Sequence, residues 1–327
     1  MECNNCTVKD LMFTFKVKGN DNLAMMPKVM EHLNRRKMLI EEEMDQIKLY
    51  ETEVRDFIDF SIDHMNTSDI TFKVANQDWR PLSEVETILE MQWIDEVIKN
   101  EQLICYYQPI VDAKEEVFAY EILSRFQDKN GSLIYPNEIF SAARARGRLY
   151  ALDRVCRMTA VKYAAPLKEK KAFINFIPTS IYSPEFCLRS TTELANELGV
   201  NPSQLVFEVV ESEKVEDIDH LKRILTYYKE KGFQYALDDV GEGYSTLEML
   251  EDIKPKYMKL DMKYVQGVAN DAMKQKVALK FLEKARELQS VPLAEGVEEI
   301  DDFKWLKEIG YELFQGYFFG KPAPKPL

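Results

Sequence analysis

Eight polar residues fall inside, or at the ends of, runs that are otherwise apolar. Glu121 follows VFAY, Asn175 sits in FINF and Glu208 in LVFEVV; Asp238 and Asp239 end FQYAL, Asp261 ends YMKL, Glu295 ends VPLA, and Gln315 lies in ELFQGY. An ionised carboxylate in or beside an apolar strand costs several kcal/mol unless it is paired or ligates a cation. One such acid is an ordinary satisfied structural residue, but a series of them on successive runs requires a shared purpose. Carboxylates with an amide among them suit a hard cation, Mg²⁺ or Mn²⁺, rather than zinc. The adjacent pair Asp238–Asp239 lets one residue bridge two ions while its neighbour serves the second. Two ions roughly 4 Å apart stabilise both the attacking and the leaving oxygen of an in-line phosphoryl displacement. Lys259 stands two residues before Asp261, so on a strand both side chains point the same way. Such a lysine either orients a water and offsets charge on a phosphate, or forms a rim ion pair with Asp261.

These runs belong to a pattern that begins near residue 100. LICYYQPIV, EVFAYEILSRF, KAFINFI, QLVFEVV, FQYALDD, YMKLD, VPLAE and ELFQGYFF read as strands, separated by amphipathic helices. Asn137 is placed to cap a helix ending near Gly147, and Ile218, Leu221, Ile224 and Tyr228 line one face of another that stops at Gly232. Near-continuous apolar strands alternating with helices mean parallel strands buried on both faces. The economical solution is an α/β fold of the TIM type, a (β/α)₈ barrel with its active site at the C-terminal strand ends. A doubly wound open sheet is the runner-up, but it would usually carry a glycine-rich phosphate loop after its first strand, and this sequence has none.

Residues 96–327 are thus assigned to the barrel and 1–95 to a mainly helical region with a dimerisation or sensory role. Between residues 22 and 65, Val29, Leu33, Ile40, Met44, Ile47, Val54, Ile58, Ile62 and Met65 recur at steps of three, four or seven, and no Gly or Pro falls between Lys28 and Arg80. That pattern fits a coiled coil, an antiparallel helix pair, or one face of a small helical domain. Asn66, Thr67 and Ser68 then supply a turn, ITFKVA a short strand, and RPLSEVETILEMQWIDEVIKN a return to helix.

The chain has 327 residues, 46% hydrophobic and 30% charged, with a net charge of −13. This is an ordinary globular composition. The negative balance argues against non-specific binding to DNA, RNA or an anionic membrane. No apolar run approaches the roughly 20 residues of a membrane span, and MECNNCTVKD lacks the parts of a signal peptide, so a cytoplasmic protein without membrane insertion is expected. Of the five cysteines, Cys105, Cys156 and Cys187 read as small core residues. Cys3 and Cys6 form a lone CxxC that, with only three histidines elsewhere, reads as a free, reduced pair rather than a zinc site.

From about Glu101 to Pro324 the chain resembles the EAL family of bacterial cyclic di-GMP phosphodiesterases. The motifs are YYQPIV, EILSR in place of the eponymous E-A-L-x-R, FINFIP, FEVVE, ALDDVGEGYSTL, MKLD, LAEGVE and FQGYFF, in the family's order. The resemblance implies that Glu121, Asn175, Glu208 and Asp238 hold one metal ion, while Asp238, Asp239 and Glu295 hold a second, each Mg²⁺ or Mn²⁺. Lys259 would position the nucleophilic water, with Gln315 nearby, Asp261 orienting the lysine, and Glu295 acting as ligand or base. Gln108, Glu121, Leu123 and Arg125 would contact the dinucleotide, and Glu211 matches the glutamate that steadies the loop after the Asp pair. The implied reaction cuts one phosphodiester bond of cyclic di-GMP to give linear pGpG, in a homodimer. Two departures stand out: Ile122 where the signature has Ala, and DDVGEGYST where the loop usually reads DDFGTGYSS, with Val240 and Glu242 exchanged. That loop couples the metal site to the dimer interface in the family, so the exchange bears on turnover. A receptor that binds the dinucleotide without cutting it is the alternative.

Overall fold

Phe13, Phe15 and Val17 recur at steps of two along strand β1 (Met12–Val17) and are buried, the signature of a sheet with one face on a core. The computed structural model describes residues 8–36, 39–42, 45–75, 77–127, 131–181, 183–210, 218–238 and 254–327. Its contacts divide the chain into two units, Met1–Gln102 with Ile134–Leu152, and Leu103–Leu133 with Asp153–Leu327.

In the first unit β1 lies at the centre of an antiparallel sheet with β2 (Leu39–Glu42), β3 (Gln46–Tyr50), β4 (Ile70–Val74) and β5 (Arg80–Pro81), in the order β2-β3-β1-β4-β5. Helix Asn20–Arg35 connects β1 to β2, and helix Glu51–His64 connects β3 to β4. The first buries Met26, Val29 and Leu33, the second Val54, Phe57 and Ile58, and both stripes join one cluster with Phe13, Phe15, Ile47, Leu49 and Phe72. The long periodic run from 22 to 65 is therefore not continuous helix. It is two helices parted by a hairpin, because Ile47 and Leu49 alternate at period two with half-buried Gln46 and Lys48. Steps of seven pass across such a hairpin unnoticed, since Ile47 to Val54 fits a helical template even though a strand ends between them. The strand ITFKV stands as the sequence predicts, whereas the helix expected over RPLSEVETILEMQWIDEVIKN opens with β5 at Arg80–Pro81 and is split into Val85–Glu90 and Trp93–Lys99.

Residues 134–152 follow the barrel's early strands in sequence but contact the first unit. Arg146, fully buried, donates to Glu51 Oε1 at 2.8 Å, Glu51 Oε2 at 2.9 Å, Asp95 Oδ2 at 3.0 Å and the Ile88 carbonyl at 2.6 Å. Arg148 reaches both oxygens of Asp95 at 2.9 and 3.0 Å. The helix there starts at Pro136, with Tyr135 as its cap, rather than being capped by Asn137. Proline suits a first helical position because it has no N–H to leave unsatisfied.

The second unit is a closed barrel of β6 (Leu103–Asp112), β7 (Val117–Gln127), β9 (Lys171–Phe176), β10 (Leu205–Val210), β11 (Gln234–Asp238), β12 (Tyr257–Leu260), β13 (Val291–Ala294) and β14 (Leu313–Gln315), with the two-residue β8 (Leu133–Ile134) added beside β7. All eight predicted strands are present. Strand β6 alone runs antiparallel to its neighbours, β7 and β14, because only a tight turn joins it to β7. In that turn Asp112 Oδ1 accepts from the N–H groups of Lys114 and Glu116, at 2.7 and 3.0 Å. Cys105, Cys156 and Cys187 are buried and not disulfide-bonded, and burial pushes the Cys105 thiol up to about 12. No described helix is long and apolar enough to cross a membrane.

Candidate active site

Eight residues, one from each barrel strand, form a continuous apolar layer: Ile110, Ala119, Phe173, Val206, Ala236, Tyr257, Leu293 and Leu313. Strand side chains repeat every two residues. Two residues further toward the C-terminal ends of the parallel strands stand Glu121, Asn175, Glu208, Asp238, Lys259, Glu295 and Gln315, and two residues back on antiparallel β6 stands Gln108. The polar set is thus the next inward layer of the barrel. Pairing fixes its stagger. Gln108 is level with Glu121 and Asn175 with Glu208, whereas Glu121 is level with Phe173 and Glu208 with Ala236, a step of two residues. The same step recurs between β12 and β13 and between β14 and β6. Four such steps around the ring give a shear of about eight residues, the value for a barrel of this type.

The layer is tightly engaged. Glu208 is fully buried and Lys259 is 1% exposed. Lys259 Nζ meets Glu208 Oε1 at 2.6 Å and Asp238 Oδ2 at 3.3 Å, and it also contacts Glu295 Oε1. Glu121 accepts from Asn175 Nδ2 at 2.8 Å and from Gln315 Nε2 at 2.5 Å, and Gln315 also donates to Gln108 Oε1 at 3.1 Å. Burial works against ionisation of Glu121, but the charge of Lys259 and the hydrogen bonds from Gln315 and Asn175 outweigh it and hold this carboxyl below the usual range. Burial instead pushes Glu208 well above that range; Lys259 opposes the shift, and Glu121, Asp238 and Glu295 add to it. Glu295 is likewise raised, by burial and then by Asp238, against the pull of Lys259. Lys259 is held well above an ordinary lysine, since the four surrounding acids overcome its burial.

Glu208 Oε1 is met by the Lys259 ammonium, but the buried Glu208 Oε2 and Gln315 Oε1 lack a hydrogen-bond partner. Unsatisfied oxygen acceptors among buried acids are what a hard cation would complete. Among the described residues no three of His, Cys, Asp or Glu already converge as a cation cluster; the acids are gathered on the Lys259 ammonium instead.

The layer floors a cleft of about 260 Å³, lined by Gln108, Glu121, Asp238, Lys259, Glu295 and Gln315, together with Met262, Gly296, Glu298, Gly316 and Tyr317. The last five escape a reading keyed to polar residues on strands, because they lie beyond the ends of β12, β13 and β14, Met262 on a short helix and the others outside any strand. Two glycines there are sterically required. Gly296 has φ +67°, and a Cβ on it would lie 2.3 Å from Met262 Cβ; one on Gly316 would lie 2.0 Å from the Val297 carbonyl oxygen. Asp261 does not meet Lys259. Its Oδ1 accepts from Lys263 N at 2.7 Å and caps the short helix Met262–Val265, so neither a rim pair with Lys259 nor direct orientation of it is formed. Leu123 and Arg125 follow Glu121 on the same face of β7, half-buried. Asp239, Glu211, Val240 and Glu242 lie outside the described residues.

The family model for the EAL domain matches residues 91–322. Among curated proteins, the chain is 30% identical over 232 residues to the probable cyclic di-GMP phosphodiesterase PdeG of Escherichia coli K12, covering 69% of this chain and 46% of that protein. It is 24% identical over 243 residues to the cyclic di-GMP phosphodiesterase PdeF of the same organism, covering 73% and 32%. It therefore spans less than half the length of either relative. A standalone versatile EAL protein from Vibrio cholerae O395, in its c-di-GMP bound form, is 39% identical, with 68% of this chain and 92% of that one covered at a TM-score of 0.60. Klebsiella pneumoniae BlrP1, in a calcium and cyclic di-GMP complex, is 20% identical and shares the fold over 96% of both chains, TM-score 0.62.

Proposed function

Because the chain belongs to the EAL domain family, we propose that it hydrolyses cyclic di-GMP to linear pGpG with the help of two Mg²⁺ or Mn²⁺ ions. The observation that carries this reading is the complete polar ring, one residue per strand, set directly above an apolar ring. Nothing about barrel stability requires four acids, a lysine and three amides in that layer, and their burial is costly without cations. The names of the relatives above supply the substrate.

In this reading Glu121, Asn175, Glu208 and Asp238 hold one ion, and Asp238, Asp239 and Glu295 the other. When bound, the ions supply Lewis-acid stabilisation of the phosphoryl oxygens and lower the pKa of an attacking water. The protein's own groups do the rest. Lys259 stands among Glu208, Asp238 and Glu295, where its fixed charge orients the water and offsets charge developing on the phosphate. Glu295, whose carboxyl is raised by burial, accepts the water's proton or serves as a ligand. A P–O bond forms to the water oxygen and the P–O3′ bond breaks, leaving a 5′-phosphate and a 3′-hydroxyl that takes up a proton. Gln108, Leu123 and Arg125 contact the dinucleotide along the β6–β7 face.

The test is incubation of the full chain with cyclic di-GMP and Mg²⁺ or Mn²⁺, nucleotides being followed by chromatography with an EDTA control. Metal-dependent pGpG supports the enzyme. Nucleotide bound but uncut favours the second reading, a receptor, and points to the exchanged loop residues Val240 and Glu242. Light scattering on the same sample tests the homodimer implied by the resemblance.

A further inference from the structure

Strands β6 and β7 have 10 and 11 residues, where the other barrel strands have three to six. Strand β7 pairs with β9 only from Ala119 to Ile122, and β6 pairs with β14 only from Ile110 to Asp112. Leu103–Tyr107 and Leu123–Gln127 therefore continue past the closed ring as a paired ribbon, with β8 beside β7 and a bridge from Tyr107 to Ala323 beside β6. Residues directly opposite one another in an antiparallel pair share a face. Gln108 is opposite Glu121, Tyr106 is opposite Leu123, and Ile104 is opposite Arg125. The cleft-facing side of the barrel wall thus extends outward through Tyr106, Leu123, Ile104 and Arg125. All four are half-buried, while Leu103, Cys105, Tyr107 and Phe126 on the other side are buried.

On that face the Arg125 guanidinium lies over the Tyr106 ring, 5.3 Å from its centroid. Its Nη1 donates to the Ser124 carbonyl at 2.9 Å. Among the described residues a carbonyl and an aromatic face hold this arginine, and no carboxylate pairs with it, so its charge is oriented without being neutralised there. Such an arrangement leaves the planar N–H fork available for an anion arriving in the cleft.

We propose that Tyr106 is a positioning residue that presents Arg125 to a phosphate of the substrate. This rests on the proposed dinucleotide reading and assigns one residue within it. Because Arg125 acts on binding at a distance from the reacting atoms, a loss of Tyr106 falls on KM more than on kcat.

The test is a double-mutant cycle on the full chain with cyclic di-GMP and Mn²⁺, each variant first checked for an unchanged melting temperature. Tyr106→Leu is expected to raise KM about three- to five-fold, the size of a partly exposed cation–π contact. Tyr106→Phe keeps the ring and should restore it. On an Arg125→Ala background, Tyr106→Leu should add nothing further, which a purely structural role would not produce. If Tyr106→Leu fails to fold, Tyr106→Met takes its place in the cycle. An active wild type with unchanged KM in the Leu variant, or an equal effect with and without Arg125, overturns the assignment of Tyr106 alone. A wild type that neither binds nor cuts the dinucleotide overturns the functional reading and this assignment with it.

Discussion

Lys259 gathers Glu208, Asp238 and Glu295 on one ammonium, with Glu121 hydrogen-bonded in the same layer. One buried positive charge faces four acids, so some of them keep protons well above the usual carboxylate range; Glu208 and Glu295 are the two raised. The sign of the consequence follows. A group whose folded pKa is raised stabilises the fold below its unfolded pKa and loses that contribution as pH climbs through the raised value. The metal-free protein should therefore lose melting temperature as pH rises from the ordinary carboxylate range toward neutrality. Added Mn²⁺, by taking the protons' place, should restore more the higher the pH. Melting curves in EDTA and in Mn²⁺ across that range check it; a Mn²⁺ increment independent of pH would contradict the assignment. Glu121→Ala should abolish metal-dependent turnover in a folded barrel, since this residue is bonded by two neighbours in the layer yet lies outside the apolar core. Lys259→Ala should cut kcat by about 10²-fold or more while moving KM little, because its charge matters most as the transition state forms. Equal kcat with a raised KM would refute that role.

At the scale of elements, the site residues were legible because a strand's period of two ties each to an apolar residue beneath it. Glu208 above Val206, or Lys259 above Tyr257, needs no structure to be suspected. The antiparallel sense of β6 and the capping of Asp261 were less legible. The first depends on how tightly a four-residue turn closes, the second on a competition between Lys259 and a free helix N–H that the local backbone wins. Loop glycines carry a different lesson, since composition does not say which of them the packing demands. Gly199 and Gly296 have nearly equal φ, +66° and +67°, but a Cβ at Gly199 would meet nothing within 4 Å. Gly199→Ala should then cost only the left-handed backbone penalty, about 1–2 kcal/mol. Gly316→Ala forces a methyl into the Val297 backbone and must displace the turn that follows Gln315. It should destabilise by about 1–3 kcal/mol, as overpacking does, and lower turnover as well. Urea unfolding with parallel assays separates the two glycines; similar costs and intact activity in both would sink the steric argument.

For the molecule as a whole, the division into units departs from the order of the chain. Residue 146 lies within the span matched by the EAL domain, yet its guanidinium is buried in the other unit, against Glu51 and Asp95. Sequence pattern could not show this, because an amphipathic helix following a barrel strand looks the same whichever core its apolar face joins. The location makes a sharp thermodynamic forecast. A chain with two cores need not unfold as one cooperative step, and a ligand raises the transition of the unit that binds it. Calorimetry of the full chain should show which transition cyclic di-GMP with Ca²⁺ lifts, and that one belongs to the barrel. Arg146→Ala strips Glu51 of its guanidinium and leaves Asp95 with Arg148 alone, and both acids are nearly as buried as Arg146 itself, with side chains 11% and 10% exposed. Breaking a buried pair in this way costs about 3–5 kcal/mol. The loss should appear in the transition that the nucleotide does not lift, although the substitution falls inside the matched domain. A drop confined to the nucleotide-lifted transition would mean that residues 134–152 belong energetically to the barrel after all.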